Sequence, residues 1–191
     1  YFVALPTDMQ ERIFTTLIQD SSMKPKTVYL VDKPVAAGLG LGINVKEAQG
    51  VLIVDIGAET TEISVLSLGG IVISRLIQTG GRSIDDAIQS AIRKEHNFFI
   101  GSKTAESIKK ELAYAINPEE ATMKICGRNM VVGLPQMLEI SADFVYSAIK
   151  EQLGIIVDAV KTILERTPPE LGVDIIQNGI YLTGGSARIR K

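Results

Sequence analysis

The stretch Val51-Leu-Ile-Val-Asp55 constrains this chain more than any other. Four apolar residues, three of them β-branched, read as a buried strand that ends on a carboxylate. Ile56-Gly57 follows, then residues 60–66 (TTEISVL) alternate polar and apolar, with Ile63 and Val65 on one face. Gly69-Gly70 marks a hairpin turn and residues 71–77 return. The spacing predicts a three-stranded antiparallel meander with tight turns at Gly57 and Gly69.

The flanks read as mixed helix and strand. Residues 1–5 (YFVAL) form a short strand closed by Pro6, and Thr7 with Gln10 makes a capping box. Met9, Ile13, Leu17 and Ile18 then give a helix to about Asp20. Residues 27–31 (TVYLV) read as a second buried strand. Pro34 opens a helix over 35–41, whose glycines at 38, 40 and 42 suggest close backbone packing. After Gly80-Gly81, Ile84, Ala87, Ile88, Ala91 and Ile92 form a helical stripe. Ser102 or Thr104 caps the next helix, with Ile108, Leu112 and Ala115 inward. Residues 122–126 and 129–132 suggest a hairpin through Gly127-Arg128, with 136–140 as a third strand. Ser141 caps a long helix to about Arg166, with Val145, Ile149, Leu153, Ile156, Val160 and Ile163 on its apolar face. Pro168-Pro169 opens a short helix, Gly179 ends it, and 180–182 form a last strand.

Charge and composition narrow the function. Twenty Lys and Arg against 22 Asp and Glu leave a net charge of −2, so nothing points to nucleic acid. One cysteine, Cys126, and one histidine, His96, exclude an internal disulfide and disfavour a Cys/His metal site. Cys126 reads as a small buried apolar residue. His96 reads as a solvated or helix C-terminal histidine rather than a catalyst. No apolar run approaches a membrane span. A reducing, cytoplasmic setting is the expectation, and the chain reads as a fragment of a longer protein.

Two glycine turns could carry chemistry. At the first, backbone N–H groups near Gly57 and the hydroxyls of Thr60 and Thr61 suit a phosphate, and Asp55 suits Mg²⁺ held through water. A plain hairpin would read the same way. At the second, Leu182-Thr-Gly-Gly-Ser186, a strand again ends in glycines where a helix would begin. A strand-to-helix turn built on αL glycines is the alternative there. Two such turns in one chain favour a nucleotide over either turn alone.

These residues resemble the MreB family of bacterial actin-like proteins. The likeness rests on Val31-Asp-Lys-Pro-Val-Ala-Ala37, on Val54-Asp-Ile-Gly with Thr60-Thr-Glu62, and on Gly80-Gly81 with Asp85. It extends through Ile100-Gly101 with Thr104-Ala-Glu106, Gly127-Arg-Asn129, Gly133-Leu-Pro135, Pro168-Pro-Glu-Leu171 and Gly179-Ile-Tyr-Leu-Thr-Gly-Gly185. The resemblance implies an α/β fold of the actin-like ATPase (ribonuclease H-like) type. A mixed sheet with flanking helices would carry a small α+β insert subdomain. Residues 1–42 would end the first actin-like domain, 43–81 with 145–191 would form subdomain IIA, and 82–144 the insert, subdomain IIB. ATP and Mg²⁺ would lie in the cleft of the complete protein. Asp55 would hold the Mg²⁺ water and Gly57, Thr60 and Thr61 the second phosphate turn, with Thr60 positioning the attacking water. Glu106 and Lys109 would lie by ribose and adenine, and Gly184, Gly185 and Ser186 along the adenosine.

The family's role implies head-to-tail filaments that direct cell shape and cell-wall synthesis, with cell-wall elongation membrane proteins as partners. The filaments would be cytoplasmic and membrane-associated, and the fragment alone mostly monomeric. Three residues depart from the family pattern. Lys33 stands where the family has a catalytic glutamate, Glu59 replaces a turn glycine, and Arg82 replaces an acidic residue. Together they suggest slow, altered or absent hydrolysis. Lys33 and Glu59 read either as an ion pair across the site or as two unrelated solvated side chains. A DnaK-like or reactivation-chaperone ATPase, or a non-hydrolysing nucleotide-binding scaffold, are the rival readings. About sixty residues between Gly81 and Ser141 favour the MreB type over DnaK.

Overall fold

The computed structural model describes residues 8–191. The strand expected over 1–5 and the Thr7 cap lie outside them. The elements run α1 (Asp8–Gln19), α2 (Lys33–Gly40), β1 (Val51–Ile56), β2 (Thr61–Ser67), β3 (Gly70–Ile77), α3 (Gly81–His96) and β4 (Phe98–Phe99). They continue with α4 (Ser102–Leu112), β5 (Thr122–Asn129), β6 (Pro135–Ser141), α5 (Ala142–Arg166), α6 (Pro169–Asn178), β7 (Ile180–Thr183) and a 3₁₀ turn (Gly185–Arg188).

The expected meander forms, and β7 joins it. The sheet order is β3-β2-β1-β7, antiparallel except that β7 lies parallel to β1. Alternation in β1 splits its side chains between two layers. Leu52 and Val54 pack with Ile63 and Val65 against Ala159, Ile163 and Ile175 of α5 and α6. Val51 and Ile53 join Leu66 and Val45 on the other face, beside Val35 of α2. Close approach explains one of the three glycines in and just after α2. A Cβ on Gly38 would lie 2.6 Å from Val45 Cγ1 and 3.3 Å from Ile53 Cδ1, whereas Gly40 and Gly42 have open space.

A second apolar cluster gathers Ile84, Ile88 and Ile92 of α3, Ala105, Ile108 and Leu112 of α4, and Val145 and Ile149 of α5. Ser141 caps α5 as expected, its Oγ accepting from Phe144 N at 3.2 Å. At 25 residues α5 is about 37 Å long, enough to serve both clusters.

Five expectations fail. Residues 27–31 form no strand, and Tyr29, Leu30 and Val31 are exposed. A strand needs a ladder partner, and none lies alongside among the described residues. The hairpin does not turn at Gly127-Arg128. β5 runs straight through to Asn129, the chain reverses over 130–134, and 135–141 form the second strand. Gly127 is a strand glycine instead of a turn glycine: a Cβ there would run into Phe98 Cε1 and lie 2.5 Å from Phe99 O, where β4 pairs with β5. Cys126 is exposed, because Ile125 beside it takes the inward register. Ala115 is also exposed, because α4 stops at Leu112, and Ala113 and Tyr114 are buried in its place. Gly101 occupies the cap position of α4, with Ser102 its first helical residue. His96 does end α3, where its ring lies 5.2 Å from that of Phe144.

Gly127→Ala should destabilise the protein by about 1–3 kcal/mol through forced overpacking. Gly154→Ala, inside α5 with nothing within 4 Å, should instead stabilise it by about 0.5–1 kcal/mol. Urea unfolding of the two variants checks both signs.

Candidate functional site

The strand pattern brings the two glycine turns together. Because β7 runs parallel to β1 with Asp55 opposite Thr183, both chains leave the sheet at the same edge. In open α/β sheets ligands bind beyond the carboxyl ends of such strands. Gly57 organises the junction. Its N–H donates to Thr60 O at 2.9 Å, while its carbonyl accepts from Gly81 N at 2.9 Å and from Ser186 Oγ at 3.2 Å. Arg82 N donates to Ala58 O at 2.6 Å. One turn thus ties together the start of α3 and the 3₁₀ turn. Gly184 adopts φ +91°, and a Cβ on it would lie 2.3 Å from Ile56 O and 2.6 Å from Asp55 Oδ1. Only glycine meets both demands.

Beyond the junction lies a cleft of about 1020 Å³, of the size of a small-molecule site. Gly57, Ala58, Gly81, Arg82 and Asp85 form one wall, Glu106, Lys109 and Lys110 of α4 a second, and Gly185, Ser186, Arg188 and Arg190 a third. The structure therefore gathers Gly57, Glu106, Lys109, Gly185 and Ser186 around one space. Lys109 is fixed at its base. Its Nζ donates to Gly81 O at 2.8 Å and to Asp85 Oδ2 at 2.9 Å, and stands 2.8 Å from Asp85 Oδ1. Burial raises the Asp85 carboxyl above its ordinary value, and the hydrogen bond and charge of Lys109 oppose that rise. Glu106 is exposed and pairs with Lys110 at 2.6 Å, which holds its carboxyl below the ordinary value.

The remaining site residues sit behind the cleft. Thr61 is fully buried, and its hydroxyl donates to Thr79 O at 2.7 Å. Thr60 is half-buried beside the turn its carbonyl closes. Asp55 lies on the α2 face of β1, directly across the ladder from Glu62. There Lys33 Nζ stands 2.5 Å from Asp55 Oδ2 and 3.3 Å from Glu62 Oε2. Glu59 pairs with Arg82 at 2.5 Å, so no Lys33–Glu59 ion pair forms. Burial lowers the Lys33 pKa, but the hydrogen bond and charge of Asp55, then those of Glu62, outweigh it and leave a net rise. Burial also pushes the Glu62 carboxyl up, against the opposing charge of Lys33. Arg190, at the far wall, donates to Tyr114 OH at 3.3 Å and lies 5.7 Å over that ring.

The residues fit a nucleotide better than they fit a metal. The cleft offers glycine backbone, a fixed lysine, and the amide of Ala58, which donates no hydrogen bond within the described residues. Asp55 does not fit Mg²⁺. One of its oxygens holds Lys33, the other faces Gly184, and Lys33 Nζ occupies the space between Asp55 and Glu62. Magnesium characteristically keeps several waters. No cluster of three or more His, Cys, Asp or Glu suited to a metal occurs among the described residues.

A family model described as MreB/Mbl protein matches residues 2–191. The cell shape-determining protein MreB of Escherichia coli (strain K12) is 40% identical over 166 residues, covering 86% of this chain and 48% of that protein. MreB5 of Spiroplasma citri, in a crystal structure bound to AMPPNP, superposes with a TM-score of 0.91 at 39% identity, over 97% of this chain and 55% of that chain. A MamK double helical filament superposes with a TM-score of 0.76 at 24% identity, over 98% of this chain and 55% of that chain, which shows the actin-like fold. This chain spans about half the length of the curated relatives it matches.

Glu62 and Asp85 give the site a pH signature. Each carboxyl titrates higher when folded than when unfolded. As pH rises between those two values the folded state holds protons that the unfolded state has lost, so stability falls. Urea unfolding from the ordinary carboxylate range upward should show the decline. Glu62→Gln and Asp85→Asn should each flatten part of it, and an unchanged slope in both would contradict the assignment.

Proposed function

This chain belongs to the MreB/Mbl protein family, and on that premise we propose that it works within a bacterial actin-like shape protein whose filaments are switched by nucleotide. The observation that carries the reading is the cleft where Gly57, Lys109 and Ser186 converge from three separate segments. ATP is the proposed ligand, supported by the relative solved with AMPPNP. Its adenosine would lie between α4 and the 3₁₀ turn, and its phosphates beside the turn at Gly57. Filament growth would be head to tail, a heterologous contact that does not close on itself.

Such filaments would lie in the cytoplasm along the membrane and engage cell-wall elongation membrane proteins. No helix of the described residues is long and apolar enough to cross a bilayer.

Lys33 argues for occupancy over turnover. An ammonium bound to Asp55 and Glu62 has no lone pair with which to accept a proton from water. The nucleotide would then gate assembly while hydrolysis is slow or absent. A cytoskeletal ATPase with normal turnover is the rival.

In the full-length protein, AMPPNP should bind and induce filaments visible by negative-stain microscopy. Lys109→Glu should weaken AMPPNP binding by at least about tenfold, or ~1.4 kcal/mol, in calorimetry. Lys33→Glu should raise phosphate release on ATP. Filaments that form equally well without nucleotide would count against the switch.

A further inference from the structure

Asp55 and Glu62 face each other across the β1–β2 ladder, both on the side covered by α2. Like charges directly opposite in an antiparallel pair are unfavourable. Burial deepens the problem, because the side chains are only 18% and 3% exposed. One cation, Lys33 Nζ, reaches both carboxylates, and Glu62 Oε1 remains buried without any donor. Asp32 is the further charge that faces this group, and it is acidic too.

Lys33 is held there by the fold. It opens α2, the next residue is the buried Pro34, and Gly38 lets the helix settle onto Ile53 and Leu66. Two opposed carboxylates with one unsatisfied oxygen have the donor chemistry of a divalent cation site. An ammonium in the same space repels a second cation and occupies the carboxylate oxygens that a hydrated magnesium ion would need.

We infer that Lys33 is a built-in cation filling an Asp55–Glu62 metal site, so that this protein binds nucleotide without a divalent ion at Asp55. The statement about nucleotide rests on the reading of the cleft above, whereas the statement about the metal site does not.

The test uses the full-length protein and two readouts. Calorimetry measures AMPPNP binding in Mg²⁺ and in EDTA. Wild type should change by less than about threefold, and Lys33→Met should become Mg²⁺-dependent by about tenfold or more. Electron paramagnetic resonance then follows Mn²⁺ without nucleotide. Wild type should show no Mn²⁺ signal that Asp55→Asn removes. Lys33→Met should gain one site, lost again when Asp55→Asn is added and weakened by Glu62→Gln.

Loss of AMPPNP binding in EDTA for wild type overturns the idea and leaves the nucleotide reading intact. An Asp55-dependent Mn²⁺ site in wild type, or no gain in folded Lys33→Met, overturns it as well. Absence of AMPPNP binding under both conditions overturns the nucleotide reading instead, and Mn²⁺ still decides the role of Lys33. If Lys33→Met does not fold, the wild-type measurements decide alone.

Discussion

The pairing of β1 on both of its edges is the constraint on which the rest of this structure depends. β2 binds one edge antiparallel and β7 the other parallel, although β7 lies more than a hundred residues away in sequence. A strand paired on both edges and covered on both faces must alternate its side chains between two apolar layers. That alternation accounts for Leu52 and Val54 facing α5 while Val51 and Ile53 face α2. It also delivers Asp55 to the α2 side, against Glu62. The parallel partner brings the second glycine turn beside the first, and a cleft follows wherever helices flank the pair.

Charge then fixes the details that apolar packing leaves open. Lys33 with Asp55 and Glu62, and Lys109 with Asp85, are ion pairs at partly or largely buried positions. Such pairs add little net stability over apolar residues of similar volume, because desolvation offsets the attraction. Their effect is on geometry. Lys109 is drawn to the start of α3 by Gly81 O and Asp85, and so cannot fold back along its own helix. Arg82 and Glu59 pair at an exposed position, where water screens the attraction, and their contribution is correspondingly small.

Much of this was legible in the sequence, for local reasons. Period-2 alternation, Gly69-Gly70, the Ser141 cap and Pro168-Pro169 each act within a few residues, and each element appears where its pattern places it. The failures involve distant partners. Residues 27–31 have strand composition, but a strand exists only through a ladder. Gly127-Arg128 has turn composition, yet the ring of Phe98 claims the space above Gly127. The reversal comes instead at 130–134, where Asn129 Oδ1 accepts from the amides of Val131 and Val132. Cys126 has the residue type of a buried position, yet strand alternation turns Ile125 inward and Cys126 to the surface. The sequence brought Lys33 to notice as a departure without revealing its partners. Counting outward from the turn would have found them, since Asp55 and Glu62 sit symmetrically about residues 57–60.

The central claim is that the two glycine turns and α4 enclose a nucleotide while Lys33 stays on Asp55. Electron cryo-microscopy of full-length filaments grown with AMPPNP and Mg²⁺ tests it most directly. The account predicts adenosine density between Lys109 and Ser186, phosphates beside Gly57, and Lys33 still bridging Asp55 and Glu62. Nucleotide density elsewhere, or Lys33 displaced from Asp55 by a metal ion, would contradict it.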